Sequence, residues 1–179
     1  MKLRIRSLAL VPVVALVLTA CGGASEEEYV DAMSSGLTSA ETQPLTKPKA
    51  ECVSERFVGR MGTDRLADDY DAEDFERDAA QLTFEDLDLT EPEANELFDD
   101  FIDCGADMRG RVIAALGDSE LALPEGMMDC LKGKITEGQM RNLFVPLMRT
   151  GKASLDAGSQ KKLEKSIVTC YEGLIQNQG

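Results

Sequence analysis

The chain has 179 residues, with 33 Asp or Glu against 19 Lys or Arg, no histidine and a net charge of −14. That balance argues against a nucleic-acid surface, because a phosphate backbone is met by clustered Lys and Arg. Without histidine there is no Ser-His-Asp or Cys-His arrangement, and the commonest general base near neutral pH is missing.

In chain order, Met1 to Arg6 carry Lys2, Arg4 and Arg6 and no acid, and Leu8 to Leu18 form an apolar run. At ~1.5 Å per helical residue that run is too short to cross a ~30 Å bilayer, so it has the layout of an export signal. Small residues follow, then Leu18-Thr19-Ala20-Cys21 with Gly22 behind it. The tetrapeptide resembles the lipobox of bacterial lipoproteins. The resemblance implies cleavage after Ala20 and a diacylglyceryl group on the Cys21 thiol, with acylation of the new amine. Two or three acyl chains, at ~0.8 kcal/mol per buried methylene, make membrane residence effectively permanent. Residues 1–20 are therefore expected to be a signal peptide, 21–25 a short lipidated tether, and 26–179 a single helical domain held at the outer face of the cell membrane. Losing Lys2, Arg4 and Arg6 takes the net charge from −14 to −17. No second apolar run of membrane length follows, so lipid is the expected anchor.

Past the tether the apolar residues recur at helical spacing, and sustained period-two alternation is absent. Tyr29, Met33 and Leu37 follow a Ser25-x-x-Glu28 capping box and predict a leading helix over 26–37. Leu97, Phe101, Cys104 and Met108 make a second stripe, and Leu163, Ile167, Cys170 and Leu174 a third. Leu143 and Leu147 mark another after Thr136-x-x-Gln139, with Pro146 expected to kink or shorten it. The fold class expected is all-α, a helical bundle.

The bundle carries an internal similarity. Leu45-Thr46-Lys47-Pro48-Lys49-Ala50 recurs as Leu89-Thr90-Glu91-Pro92-Glu93-Ala94, each with Thr as N-cap and Pro in the first turn, where a missing N–H costs nothing. Looser starts stand at Leu123-Pro124 and Leu155-Asp156. Cys52 and Cys130 lie seven residues after Leu45 and Leu123, and Cys104 and Cys170 fifteen after Leu89 and Leu155. Aligned on their cysteines, the later helices pair Leu97 with Leu163, Phe101 with Ile167, and Ile102 with Val168. This predicts a duplicated helical unit, residues 45–110 and 120–178. Four cysteines in an exported chain read as two disulfides. Duplication of a self-contained unit favours Cys52–Cys104 and Cys130–Cys170, although the two other pairings are equally compatible with a pseudo-twofold. Without a C-x-x-C pair or a histidine, zinc is disfavoured.

Charge is uneven. Residues 64–107 hold 18 acids against Arg65 and Arg77, whereas 108–179 hold 8 acids against 10 bases. The acidic stretch is either a partner-facing surface or, more simply, a set of solvated helix faces. The best metal candidate is Asp69, Asp71 and Glu73, which match the first alternate positions of an EF-hand loop. The glycine that the loop requires is Asp74 here and its final glutamate is Ala80, so a helix start with Asp71 as N-cap and Asp74 at N3 is the better reading. Met127, Met128, Met140 and Met148 suit a core more readily than a soft-metal site. Ser54 and Ser166 sit in helical patterns without a nucleophile elbow, and Ser154 with Lys152 looks like a loop. No catalytic, cofactor or metal residue is nominated, and the chain is expected not to be an enzyme.

The lipobox, the L-T-x-P-x-A starts and the cysteine spacing together resemble small four-cysteine helical lipoproteins of actinobacteria. That resemblance implies a fold class and an envelope location, and carries no activity. The expected role is a non-enzymatic interaction or scaffold module of the cell envelope, contacting the membrane through Cys21 and an envelope protein as partner. The alternative is a binding protein for a small ligand or cation, with its site between the two units.

Overall fold

The computed structural model describes residues 24–41, 44–111, 126–152 and 156–177. The leader, Cys21, the Leu123-Pro124 start and Leu155 lie outside them. Among the described residues the fold is all-α with no strand.

Helix α1 (Glu26–Ser39) opens on the expected capping box: Glu28 N donates to Ser25 Oγ, and Ser25 N donates to the Glu28 carboxylate at 2.7 Å. Tyr29, Met33 and Leu37 are fully buried on one face, so the predicted stripe is the packing face. Helix α2 (Lys47–Met61) has Thr46 as N-cap and Pro48 in its first turn, but the Thr46 side chain makes no capping hydrogen bond. Gly62, at φ 77°, ends α2 and turns the chain into the short α3 (Thr63–Asp69). Helix α4 (Ala72–Gln81) starts at Asp71, whose side chain accepts from Asp74 N at 2.8 Å. A 3-10 turn (Glu85–Leu87) leads to α5 (Glu91–Asp103), which opens on a complete Thr90–Glu93 capping box.

These elements build the first unit with α1 laid across it. Helix α1 packs on α2 and α4, and α5 returns beside α2. At Gly36 the α1 and α4 backbones approach so closely that a Cβ would stand 2.1 Å from the Glu76 carbonyl oxygen. Only glycine fits there. Phe75 sits among four rings, with centroids 5.6 Å from Tyr29, 6.2 Å from Phe57, 5.5 Å from Tyr70 and 5.9 Å from Phe84. The Cys52–Cys104 disulfide ties α2 to the end of α5.

The second unit is α6 (Met127–Lys134), α7 (Glu137–Thr150) and α8 (Ala157–Asn177). Helix α7 begins at the predicted Thr136–Gln139 capping box and runs through Pro146 to Thr150 without ending there. Its buried face is Met140, Phe144, Val145 and Met148; the expected Leu143 and Leu147 are only half-buried. The register is set by α5, against which α7 packs, and not by the leucines. Cys130–Cys170 ties α6 to α8. Both disulfides therefore follow the pairing that duplication favours. The correspondence has limits: Cys104 is the C-cap of α5, while Cys170 lies inside a 21-residue helix. The first unit spends α3, α4 and a 3-10 turn on the connection that a single helix, α7, makes in the second. Ile102 and Val168, paired by the alignment, both face solvent, at 36% and 54% exposure.

The units meet along α5 and α7. Phe98 and Phe144 face each other at 6.3 Å, and the Arg141 guanidinium lies 4.6 Å over the Phe98 ring. Arg141 also donates to Asp99 Oδ1 and to the Asn95 carbonyl and side-chain oxygens. Phe84 N donates to Met148 O at 2.9 Å, and Arg149 Nε to Leu89 O at 2.8 Å. The aromatic centre of the junction is packed, and a cleft of about 430 Å³ lined by Glu91, Asn95, Arg141, Asn142 and Arg149 opens beside it.

Candidate functional site

Of the serines considered as nucleophiles, Ser54 and Ser166 are engaged within their own helices, and Ser154 lies outside the described residues. Ser54 Oγ donates to Ala50 O at 2.8 Å and is fully buried, and Ser166 Oγ donates to Lys162 O at 3.1 Å. Each bonds back to a carbonyl one turn earlier in its own helix. Asp69, Asp71 and Glu73 do not converge, and no group of three or more metal-type ligands occurs among the described residues. Met127, Met140 and Met148 are core. The four cysteines are consumed in disulfides.

Two polar clusters are buried in the first unit, and both are structural. Tyr29 Oη donates to Tyr70 O and Tyr70 Oη to Asp78 Oδ2, each at 2.8 Å. Burial and then the Asp78 carboxylate push the Tyr70 phenol well above the ordinary tyrosine value, so it stays a donor. Asp100, with its side chain 7% exposed, pairs with Arg60 at 2.7 Å and Arg56 at 3.8 Å across α2 and α5. Burial raises its pKa against the opposing pull of Arg60 and then Arg56. This buried charge lies inside the first unit, away from the junction. Arg111 is buried where the described segment stops, and desolvation lowers its pKa.

A cleft stands elsewhere. It opens inside the second unit, where α7 and α8 diverge, with a volume of about 670 Å³. Lys134, Arg141, Lys162 and Lys165 line it, with Thr136, Gln139, Asn142, Ser159, Ser166 and Thr169, and no carboxylate does. Two features of the sequence produce this. The Thr136 box starts α7 one residue after α6 ends in Ile135, which puts Lys134 at the cleft mouth. Helix α8 buries Cys170 and half-buries Leu163, Ile167 and Leu174 against its neighbours; its 3.6-residue period then carries Lys162, Lys165, Ser166 and Thr169 to the adjoining side.

The chemistry on offer is electrostatic. Thr136 Oγ1 donates to Gln139, Ser166 and Thr169 donate to carbonyls one turn back, and Ser159 is held between Asn142 and Asp156. Arg141 is held by Asp99 and Glu137. The ammonium groups of Lys134, Lys162 and Lys165 remain, all exposed and none in an ion pair with a described residue. Three flexible point charges without directional hydroxyls suit a diffuse anionic surface better than a small anion that needs fixed geometry. On the side of α8 away from the cleft, Val168, Tyr171 and Ile175 are also exposed, at 54%, 50% and 56%. These follow one another at i, i+3 and i+7, one stripe of the helix.

Sequence reasoning registered the charge balance of residues 108–179 but not this cleft. The available signal was Lys161-Lys162 and Lys165 beside a helix carrying two apolar stripes where one suffices for packing. The comparisons add no relative: no family model matches the chain, and it has no match among curated proteins or solved structures.

Proposed function

We propose that the chain is a lipid-anchored, non-enzymatic interaction module of a bacterial cell envelope, attached through Cys21 and acting on an envelope protein. The observation that carries the interaction reading is the division between the units. The first holds its buried polar groups in closed structural pairs, whereas the second leaves three lysines and an apolar helix stripe facing solvent. A rigid body that leaves such groups uncovered can serve as a docking module. The anchor rests on the Leu18-Thr19-Ala20-Cys21 run and its resemblance to a lipobox. The ligand reading has its own opening: between α5 and α7 a cleft of about 430 Å³ is lined by Glu91, Asn95, Arg141 and Arg149, although Phe98 and Phe144 close the apolar part of the junction.

Metabolic labelling with an alkyne fatty acid tests the anchor: the wild-type chain should take label and fractionate with membranes, and Cys21→Ala should do neither. A Cys21→Ala chain that still took label would reject the assignment of the anchor to Cys21.

A further inference from the structure

We propose that the cleft between α5 and α7 binds a free α-amino acid with an aliphatic side chain. Arg149 would take its carboxylate, and Glu91 and Asp156 its ammonium. This rests on the ligand reading and names the chemistry of that site; neither the anchor nor a docking surface enters it.

The cleft holds about 430 Å³, toward the lower end of the ~300–1,000 Å³ range of small-molecule sites. Arg149, in the last turn of α7, supplies its cationic end. The Arg149 Nε donates to Leu89 O at 2.8 Å, while its two terminal nitrogens have no hydrogen-bond or ion-pair partner among the described residues. The Nε bond orients the guanidinium, and the donor pair left over is a fork that grips a carboxylate end-on. Arg141, the other guanidinium in the lining, is already held by Asp99, Glu137 and Asn95. One cation is therefore open to a ligand, and not two.

The acceptors stand on the other two helices that border the cleft. Glu91, in the first turn of α5, has a carboxylate with no described partner. Asp156, at the start of α8, accepts from Gly158 N and Ser159 N on Oδ1, at 2.8 and 3.0 Å, and keeps Oδ2. Asn142 donates Nδ2 to Ser159 Oγ at 2.7 Å and keeps Oδ1. Together they offer acceptors for the three donors of an ammonium. Val145 and Pro146 complete the lining with an apolar wall. A plain anion would meet the carboxylates of Glu91 and Asp156, and a plain cation would meet Arg149. A free α-amino acid carries both charges on one carbon and leaves its side chain for the wall. A polypeptide terminus carries only one of the two.

The test is isothermal titration of the full chain, in phosphatidylcholine nanodiscs, with three probes. They are L-leucine, isocaproate, which is leucine without its ammonium, and isoamylamine, which is leucine without its carboxylate. L-leucine should bind about tenfold or more tightly than either half-molecule. Arg149→Gln should weaken L-leucine and isocaproate about tenfold and leave isoamylamine unchanged. Glu91→Gln/Asp156→Asn, in which Asn still caps α8, should do the reverse, weakening L-leucine and isoamylamine and sparing isocaproate. Loss of local structure would not produce that crossed pattern. Arg149→Lys keeps the charge without the fork and should recover part of the L-leucine affinity. Lys161→Gln/Glu172→Gln, at exposed positions outside the cleft, should change it less than about twofold. No binding of L-leucine by the wild type would overturn the proposal, as would equal affinity for either half-molecule. So would equal losses of all three probes in both cleft variants, or displacement of L-leucine by inorganic phosphate. A Cys21→Ala chain should bind L-leucine as wild type does, so a failed anchor and a failed ligand site give different results.

Discussion

The two helical units follow one plan and are packed very differently. Unit one, with α1 across it, encloses four aromatic rings around Phe75 and places two arginines on a buried aspartate. Unit two has one buried ring, Phe144, which it shares with Phe98 of unit one, and otherwise methionines and aliphatics. Its last helix has one fully buried apolar residue, the disulfide-bonded Cys170. The difference teaches where each unit gets its order. Unit one is held by apolar burial that deepens with every neighbour, and unit two by a covalent tie and by leaning on α5. Leaving a face of α8 uncovered is tolerable because the tie, not the face, holds the helix.

The sharpest way to break that contrast is to strike each unit at its own support. Phe75→Ala removes the ring that four others touch and should cost about 3–5 kcal/mol, lowering the melting midpoint of the whole domain. Leu163→Ala, at a half-buried position of α8, should cost less than about 2 kcal/mol; similar losses at the two sites in chemical denaturation would erase the distinction. Next in size is the covalent tie. Cys130→Ser/Cys170→Ser should lose about 2–4 kcal/mol, with the loss local: amide exchange should accelerate along α8 while α1 and α4 keep their protection. Uniform acceleration through both units would mean that they unfold as one body.

Capping and pairing were open to reading because they depend on near neighbours. Ser25, Asp71, Thr90 and Thr136 each cap the helix that their spacing announces, and the disulfides join the cysteines that a duplicated unit would join. What escaped the sequence depends on partners far along the chain. Leu143 and Leu147 look like a packing face, yet α5 selects Met140, Phe144 and Met148. Pro146 fails to end α7: its ring costs one backbone bond, but Phe144 on Phe98 before it and Met148 and Arg149 bonded to Phe84 and Leu89 after it hold the helix. The cleft was invisible for the same reason, since Lys134 and Lys162 are brought to one opening by the angle between α7 and α8, which no local pattern encodes.

Arg141 tests the lean of unit two on unit one. It joins Asp99 and Asn95 of α5 and lies over Phe98. Arg141→Ala should cost about 1–2 kcal/mol through the lost charge-assisted bonds and ring contact, and Arg141→Lys should recover only part of it, because an ammonium cannot span these partners as a planar fork does. If the units are independent, neither change will alter exchange protection on α5, and the lean is not a support.

The smallest expected effect lies at the start of α5. Arg65 first, and then the Thr90 amide and hydroxyl, hold the Glu93 carboxyl at about 2 against its ordinary 4.5. A folded-state value below the unfolded one means that the contribution is complete above about pH 4.5 and is lost as pH falls toward 2. Arg65 and Glu93 are 35% and 26% exposed, so solvent screening leaves about 1 kcal/mol or less of the pair at neutral pH. Glu93→Gln keeps a capping-box acceptor but loses the charge, and its deficit against wild type should shrink toward zero between pH 5 and pH 2 in urea titrations. Asp100 runs the other way: burial raises its pKa, so the folded state gains a little from protonation there as pH falls. Helix α5 thus carries two carboxylates whose pKa values are shifted in opposite directions, Glu93 against α3 and Asp100 against α2, one stabilising as an ion and one strained as an ion. A deficit of Glu93→Gln that persisted unchanged at pH 2 would show that the Arg65 pair is not what its capping box supports.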